Sequence, residues 1–224
     1  MEPIRAINHD EVLRYLGYRG QPLSEDLIQE VCACETQMLA YAKPAYLFRV
    51  FPSEKIPEGI RLVGTTLVLP GADILSHLAG CSQIAVLAAT LSVEADRLIA
   101  SARIDSMTKY LALDAAADAL VEQVCDMAER ELRAQMSEMH ATWRFSPGYG
   151  DFPITLQNQI LTVLDAQKRI GLCATDSHLL TPRKSVTAVI GFSETELPKK
   201  QRGCETCVMR ETCAYRKRGE CCVW

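Results

Sequence analysis

The clearest periodic stretch runs over residues 107–139. Leu113, Ala117, Leu120, Val121, Val124, Ala128 and Leu132 fall on one stripe at 3.6-residue spacing. Asp114, Asp118, Glu122, Asp126 and Glu129 lie beside or opposite that stripe. One long amphipathic helix is predicted. Residues 83–90 show a different pattern, a continuous apolar run bounded by serines. It fits a strand buried on both faces or a buried helix, because periodicity does not separate the two. Residues 46–51 and 185–192 are rich in β-branched and aromatic residues and read as strands. Residues 60–63 and 66–69 pair across Gly64, and 73–78 is a short helix.

The N-terminal part reads as helical over 10–41. Asp10 caps a first helix that ends before Gly17, Ser24 opens a second, and Pro44 ends it. Residues 52–59 read as a turn. A helix starts at Ser92, and 155–168 reads as one helix that Gly171 ends. Strands and helices mix without regular alternation, so the expected class is α+β, with a mixed or antiparallel sheet and long helices.

Charge divides the chain. Residues 198–224 carry seven Lys and Arg against three Glu, a balance of +4, so with a net charge of −4 the rest carries −8. A body at 1–197 and a basic tail at 198–224 follow. An acidic body gives no footprint for nucleic acid. No apolar run reaches the length of a membrane span, and nothing resembles a secretory signal, so a cytoplasmic location is expected. Thiols stay reduced there, and the ten cysteines are not read as a disulfide framework.

Five of those cysteines, Cys204, Cys207, Cys213, Cys221 and Cys222, crowd the last 21 residues. Two thiolates three positions apart fold around one ion, and later cysteines complete four ligands. An iron–sulfur cluster or zinc is expected there, and a tail of free thiols is the alternative. Cys32 and Cys34 point about 200° apart on a helix and do not share an ion. His9, His77, His140 and His178 are scattered, without ligand spacing. No strand is followed by a glycine-rich phosphate loop, which leaves dinucleotide and P-loop folds unsupported. Ser146 is not in a nucleophile elbow, so a hydrolase is not indicated.

The segment 144–153, Arg-Phe-Ser-Pro-Gly-Tyr-Gly-Asp-Phe-Pro, joins two helical regions. Pro147-Gly148 is a turn dipeptide, and Arg144 offers a planar fork suited to a carboxylate or phosphate. Asp151 is a structural partner for Arg144 across the loop. Arg144-x-Ser146-Pro147-Gly148-Tyr149 followed by a helix resembles the signature loop of the activation domain of cobalamin-dependent methionine synthase. The residues after the tyrosine differ from the Pro-Ala-Cys-Pro of the fused domain and are similar to its free-standing version. The resemblance covers roughly residues 85–192.

That resemblance implies S-adenosylmethionine as cofactor, bound by the loop that includes Ser146 and Gly148. Arg144 would contact its methionine carboxylate, and Tyr149 would lie between it and a corrinoid. Backbone at Ile190 and Gly191 would meet the adenosyl part, although the family has aromatic residues at those positions. Matching Asp118-x-Leu120-x-Glu122 assigns a further ligand contact to Glu122, whose position on the helix otherwise reads as a solvated carboxylate. The implied function is reductive reactivation of a corrinoid protein, with methyl transfer from S-adenosylmethionine to cobalt(I). The chain has no Asp-x-His-x-x-Gly motif for cobalamin. The resemblance therefore implies a partner: a corrinoid-binding protein, or a methionine synthase lacking its own activation domain. An electron donor is implied as well. On this reading the chain is the S-adenosylmethionine-binding component of a methionine synthase-type methyltransferase system, nearly inert alone. The alternatives are a non-catalytic regulatory module that binds S-adenosylmethionine or a corrinoid protein, and an iron–sulfur electron-transfer adaptor.

Overall fold

The apolar run at 83–90 is a strand. In the computed structural model, which describes residues 3–197, 211–212 and 214–217, it forms β4 (Gln83–Thr90). It pairs antiparallel with β1 (Ala45–Ile56) on one side and β8 (Ser185–Ser193) on the other. Seven of its eight residues are buried, which requires cover on both faces.

The helices supply that cover. Leu87 and Ala89 face α2 (Glu25–Tyr41), α4 (Ser92–Asp105) and the long α5 (Met107–Gln135), and Ala85 meets Leu132 of α5. Ile84, Val86 and Ala88 face the other way, onto α3 (Ala72–His77), α6 (Gln157–Leu164) and α7 (Ala166–Ile170). The α5 stripe from Leu113 to Leu132 is buried throughout. Each of its larger aliphatic side chains contributes about 1.5–3 kcal/mol by leaving water. The short α1 (His9–Tyr15) precedes α2 and packs on α5.

The main sheet is antiparallel throughout. It adds β2 (Gly59–Leu62) and β3 (Val68–Leu69) beyond β1, and β5 (His140–Ala141) beyond β8. A second, two-stranded sheet joins β6 (Cys173–Ala174) to β7 (Leu180–Thr181). The fold is α+β, as the mixed pattern predicts. Among the described residues no helix is long and apolar enough to cross a membrane.

Several boundaries differ from the sequence pattern, each for a local reason. Asn8, not Asp10, caps α1, its side chain accepting from the Glu11 amide. Pro52 lies inside β1, where a turn is expected. The strand changes partner there: residues up to Pro52 pair with β4, and those from Ser53 pair with β2. A proline that donates no hydrogen bond is tolerated at such a switch. The helix expected over 155–168 is broken at Asp165, whose φ of +53° is a left-handed conformation that aspartate tolerates. α5 ends at Gln135, which frees His140 and Ala141 to join the sheet edge. The tail cysteines Cys204, Cys207, Cys213, Cys221 and Cys222 lie outside the described residues.

Candidate functional site

Asp114, Asp118, Glu122 and Asp126 stand four residues apart on α5, and Glu129 follows after three. That spacing keeps them on one flank of the helix. Two cations from distant parts of the chain close on this acidic edge. Lys184, the residue before β8, reaches the carboxylates of Asp114 at 2.9 Å and Asp118 at 2.7 Å. Arg144 reaches Glu122 at 3.0 Å and both Asp126 and Glu129 at 2.8 Å.

The backbone on both sides of Arg144 is fixed to β8. The Thr142 amide donates to the Gly191 carbonyl, and the Gly191 amide donates to Thr142 Oγ1, each at 2.9 Å. Phe145 and Val189 exchange two amide–carbonyl bonds of 2.9 Å. Arg133 adds a brace, binding Glu129 at 2.7 Å and the Thr142 carbonyl at 2.8 Å. The Arg144 side chain is only 16% exposed. Burial works against its charge, yet the hydrogen bond to Asp126 and the surrounding negative charge outweigh it and raise its pKa further. Arg144 is therefore a permanent cation in a half-dry setting.

Side chains alternate across the paired segment, so Phe145 points to the opposite face of the sheet. Its ring packs against His77 at 4.7 Å, Tyr149 at 5.8 Å and Phe152 at 6.1 Å. His77 is a satisfied core histidine: it is buried, and its Nε2 donates to the Trp143 carbonyl at 2.9 Å. Tyr149 is 54% exposed on this side, and Phe152 is buried beneath it.

Backbone bonds hold the loop tightly. Gly148 donates to the Phe152 carbonyl at 2.8 Å and Tyr149 to the Ser146 carbonyl at 3.0 Å. Asp151 does not take the partner expected for it. Its carboxylate accepts from the amides of Ala72 at 2.6 Å and Asp73 at 3.0 Å, which cap α3. Asp73 returns the contact by accepting from the Asp151 amide at 3.1 Å. Free amides at a helix start attract carboxylates, whereas Arg144 is already met by the acids of α5. Gly150 makes the approach feasible, since a Cβ there would lie 2.0 Å from Asp73 Oδ2.

The residues singled out from the sequence thus fall into three places. Glu122 and Arg144 meet on the α5 side. Ser146 is half-buried in the turn, and Gly148 and Tyr149 are exposed beyond it. Ile190 and Gly191 are buried within β8. Ile190 packs with Ala85, Leu132 and Phe192, while a Cβ on Gly191 would lie 2.5 Å from Cys81 Sγ. Asp126, Glu129, Arg133 and Thr142 complete the clamp and were not assigned from sequence. The four-residue spacing on α5 is the signal for Asp126.

No family model matches the sequence, and no curated protein matches it. Among solved structures the chain is similar to the crystal structure of the MetH reactivation domain bound to AdoHcy. The TM-score is 0.64 at 16% identity, over 96% of this chain and 82% of that one. The chain has the fold of the MetH reactivation domain.

Proposed function

We propose that this chain binds S-adenosylmethionine at the Arg144–Glu122 end of α5 and serves the reactivation of a corrinoid carried by a partner protein. One observation carries the reading. The family resemblance assigns Arg144 through the loop and Glu122 through the helix, and these two residues, 22 apart in sequence, pair at 3.0 Å. The solved relative with this fold was crystallised with AdoHcy, which supports a ligand of the same kind here.

The donor set suits an α-amino acid carrying an extra positive charge. A guanidinium holds a carboxylate with two parallel hydrogen bonds, and a carboxylate holds an ammonium. Arg144 takes the first role and Glu122 the second. Asp126, 59% exposed, is the acid that gives up its place on Arg144 when the ligand carboxylate arrives. Two guanidinium groups, Arg144 and Arg133, stand among three carboxylates, and the negative excess suits a sulfonium. Bound there, S-adenosylmethionine supplies an electrophilic methyl group to a cobalt nucleophile. The chain needs no general base for that chemistry. Its residues fix the ligand's amino-acid end and hold it in line.

Ser146 and Gly148 shape the loop, and Tyr149 offers an exposed ring toward the corrinoid partner. Backbone at Ile190 and Gly191 underlies the site in this reading. It supports the loop through Thr142, because the Gly191 amide and carbonyl are both bonded there. The partner is a corrinoid-binding protein or a methionine synthase without its own activation domain, served by an electron donor in the cytoplasm. In this reading the cysteines of the basic tail, which lie outside the described residues, bind an iron–sulfur cluster or zinc, with free thiols as the alternative.

Calorimetric titration with S-adenosylmethionine tests the proposal. The parent protein is expected to bind, Arg144→Lys to bind more weakly for want of the fork, and Arg144→Ala not to bind. Equal binding by all three variants overturns the site. Binding without methylation of a reduced corrinoid partner selects the regulatory reading.

A further inference from the structure

His9, Cys32 and Glu35 show no ligand spacing along the chain, yet the fold brings them together. His9 is the first residue of α1. Cys32 and Glu35 lie three apart on α2, so they share one flank of that helix. His9 Nδ1 lies 2.7 Å from Glu35 Oε1. With the Cys32 thiol, one nitrogen, one sulfur and one oxygen lie within 4.8 Å of one another. A hydrogen bond alone accounts for His9 and Glu35 but not for a thiol within 4.8 Å of both. Cys32 is exposed while the other two are half-buried, so an ion has an entry path and a backed seat.

The chemistry selects the ion. Thiolate and imidazole are zinc's preferred ligands, and a carboxylate completes a set of borderline softness. Calcium and magnesium take oxygen ligands. Bonds of about 2.0–2.3 Å around a tetrahedral zinc set its ligand atoms roughly 3.3–3.8 Å apart. The His9–Glu35 edge of 2.7 Å is shorter than that range, and the Cys32 sulfur lies within 4.8 Å of both other ligand atoms. Small rotamer shifts close the difference.

We propose that His9, Cys32 and Glu35 form a site for a zinc-class divalent cation, with a fourth position open to water, that pins the start of α1 to α2. On binding, the Cys32 thiol releases its proton to solvent, the His9 ring gives up its Nδ1 proton and carries its remaining proton on Nε2, and the His9–Glu35 hydrogen bond is replaced by two metal bonds. No electron is transferred. The site shares no residue with the tail cysteines or the Arg144 clamp, so its failure leaves the proposed function untouched.

Cobalt(II) serves as the spectroscopic probe. The full chain is used with Cys204, Cys207, Cys213, Cys221 and Cys222 changed to serine, so that tail thiols do not contribute. One equivalent of cobalt is expected to give thiolate-to-cobalt charge-transfer absorption and to raise the melting temperature. Cys32→Ser, at an exposed position, is expected to abolish the band. His9→Gln is expected to weaken cobalt binding at least tenfold and keep the band at saturation. No band at one equivalent, or a band that survives Cys32→Ser, overturns the site.

Discussion

Lys184 and Arg144 close on two halves of the same acidic edge, and they do so differently. The Lys184 ammonium has three protons and meets three acceptors: the carboxylates of Asp114 and Asp118, and the Asp114 carbonyl. Its side chain is 11% exposed, and its own amide donates to Asp96, as does that of Arg183. Arg144 binds the side chains of Glu122, Asp126 and Glu129, and of these Glu122 and Asp126 are about half open to water. The first clamp is saturated and partly made of backbone. The second consists of exchangeable contacts. One helix flank thus carries a fastening and, next to it, a place where a ligand can substitute for a resident acid.

Removing each cation separates the two roles most sharply. Lys184→Met leaves two carboxylates without their counter-charge, and unfolding in urea is expected to register a loss of about 2–3 kcal/mol. S-adenosylmethionine affinity is expected to stay unchanged. Arg144→Ala reverses this profile. Its stability loss is expected to be about 1 kcal/mol, because Glu122 and Asp126 recover hydration, while ligand binding is lost. Equal stability losses in the two variants would erase the distinction between fastening and ligand seat.

A subtler change tests whether the resident acids compete with the ligand. Asp126→Ala frees one face of Arg144, and titration is expected to show S-adenosylmethionine binding a few-fold tighter. Weaker binding would make Asp126 a ligand contact instead.

The smallest expected effect is a titration. Burial raises the Asp118 carboxyl above its ordinary value, against the pull of Lys184. The folded state then holds that proton more tightly than the unfolded chain. This group's contribution to stability therefore falls as pH rises through the interval between the two values. Carbon-detected NMR is expected to find Asp118 protonating above the ordinary aspartate range, and higher still in Lys184→Met. A midpoint at or below the ordinary value would remove burial as the governing cause.

The parts visible in the sequence were those written in local spacing. The α5 stripe, the buried character of 83–90 and the turn at Pro147-Gly148 follow from periods and residue types within a few positions, whereas the choice of strand over helix at 83–90 comes only from its pairing with β1 and β8. Spacing also put five carboxylates along one flank of α5. It did not tell which cations would close on them, since Lys184 lies 66 residues from Asp118 and only the folded sheet edge brings it there. Pro52 misled because its meaning depends on which strand lies beside it. Asp165 misled because a helical period continues across the break. The convergence of His9 with Cys32 and Glu35 is likewise a product of helix packing, which no spacing records.

The exchange between Asp73 and Asp151 has a further consequence for how this sequence can vary. Gly71 and Gly150 leave room for the two carboxylates, since a Cβ on Gly71 would lie 2.6 Å from Asp151 Oδ1 and one on Gly150 2.0 Å from Asp73 Oδ2. The four positions 71, 73, 150 and 151 therefore form a single packing unit. A side chain at either glycine displaces an aspartate, and the positive φ of Gly71 (+119°) and Gly150 (+54°) disfavours any other residue there even without that crowding. The aspartates are thus expected to tolerate replacement better than the two glycines that make room for them.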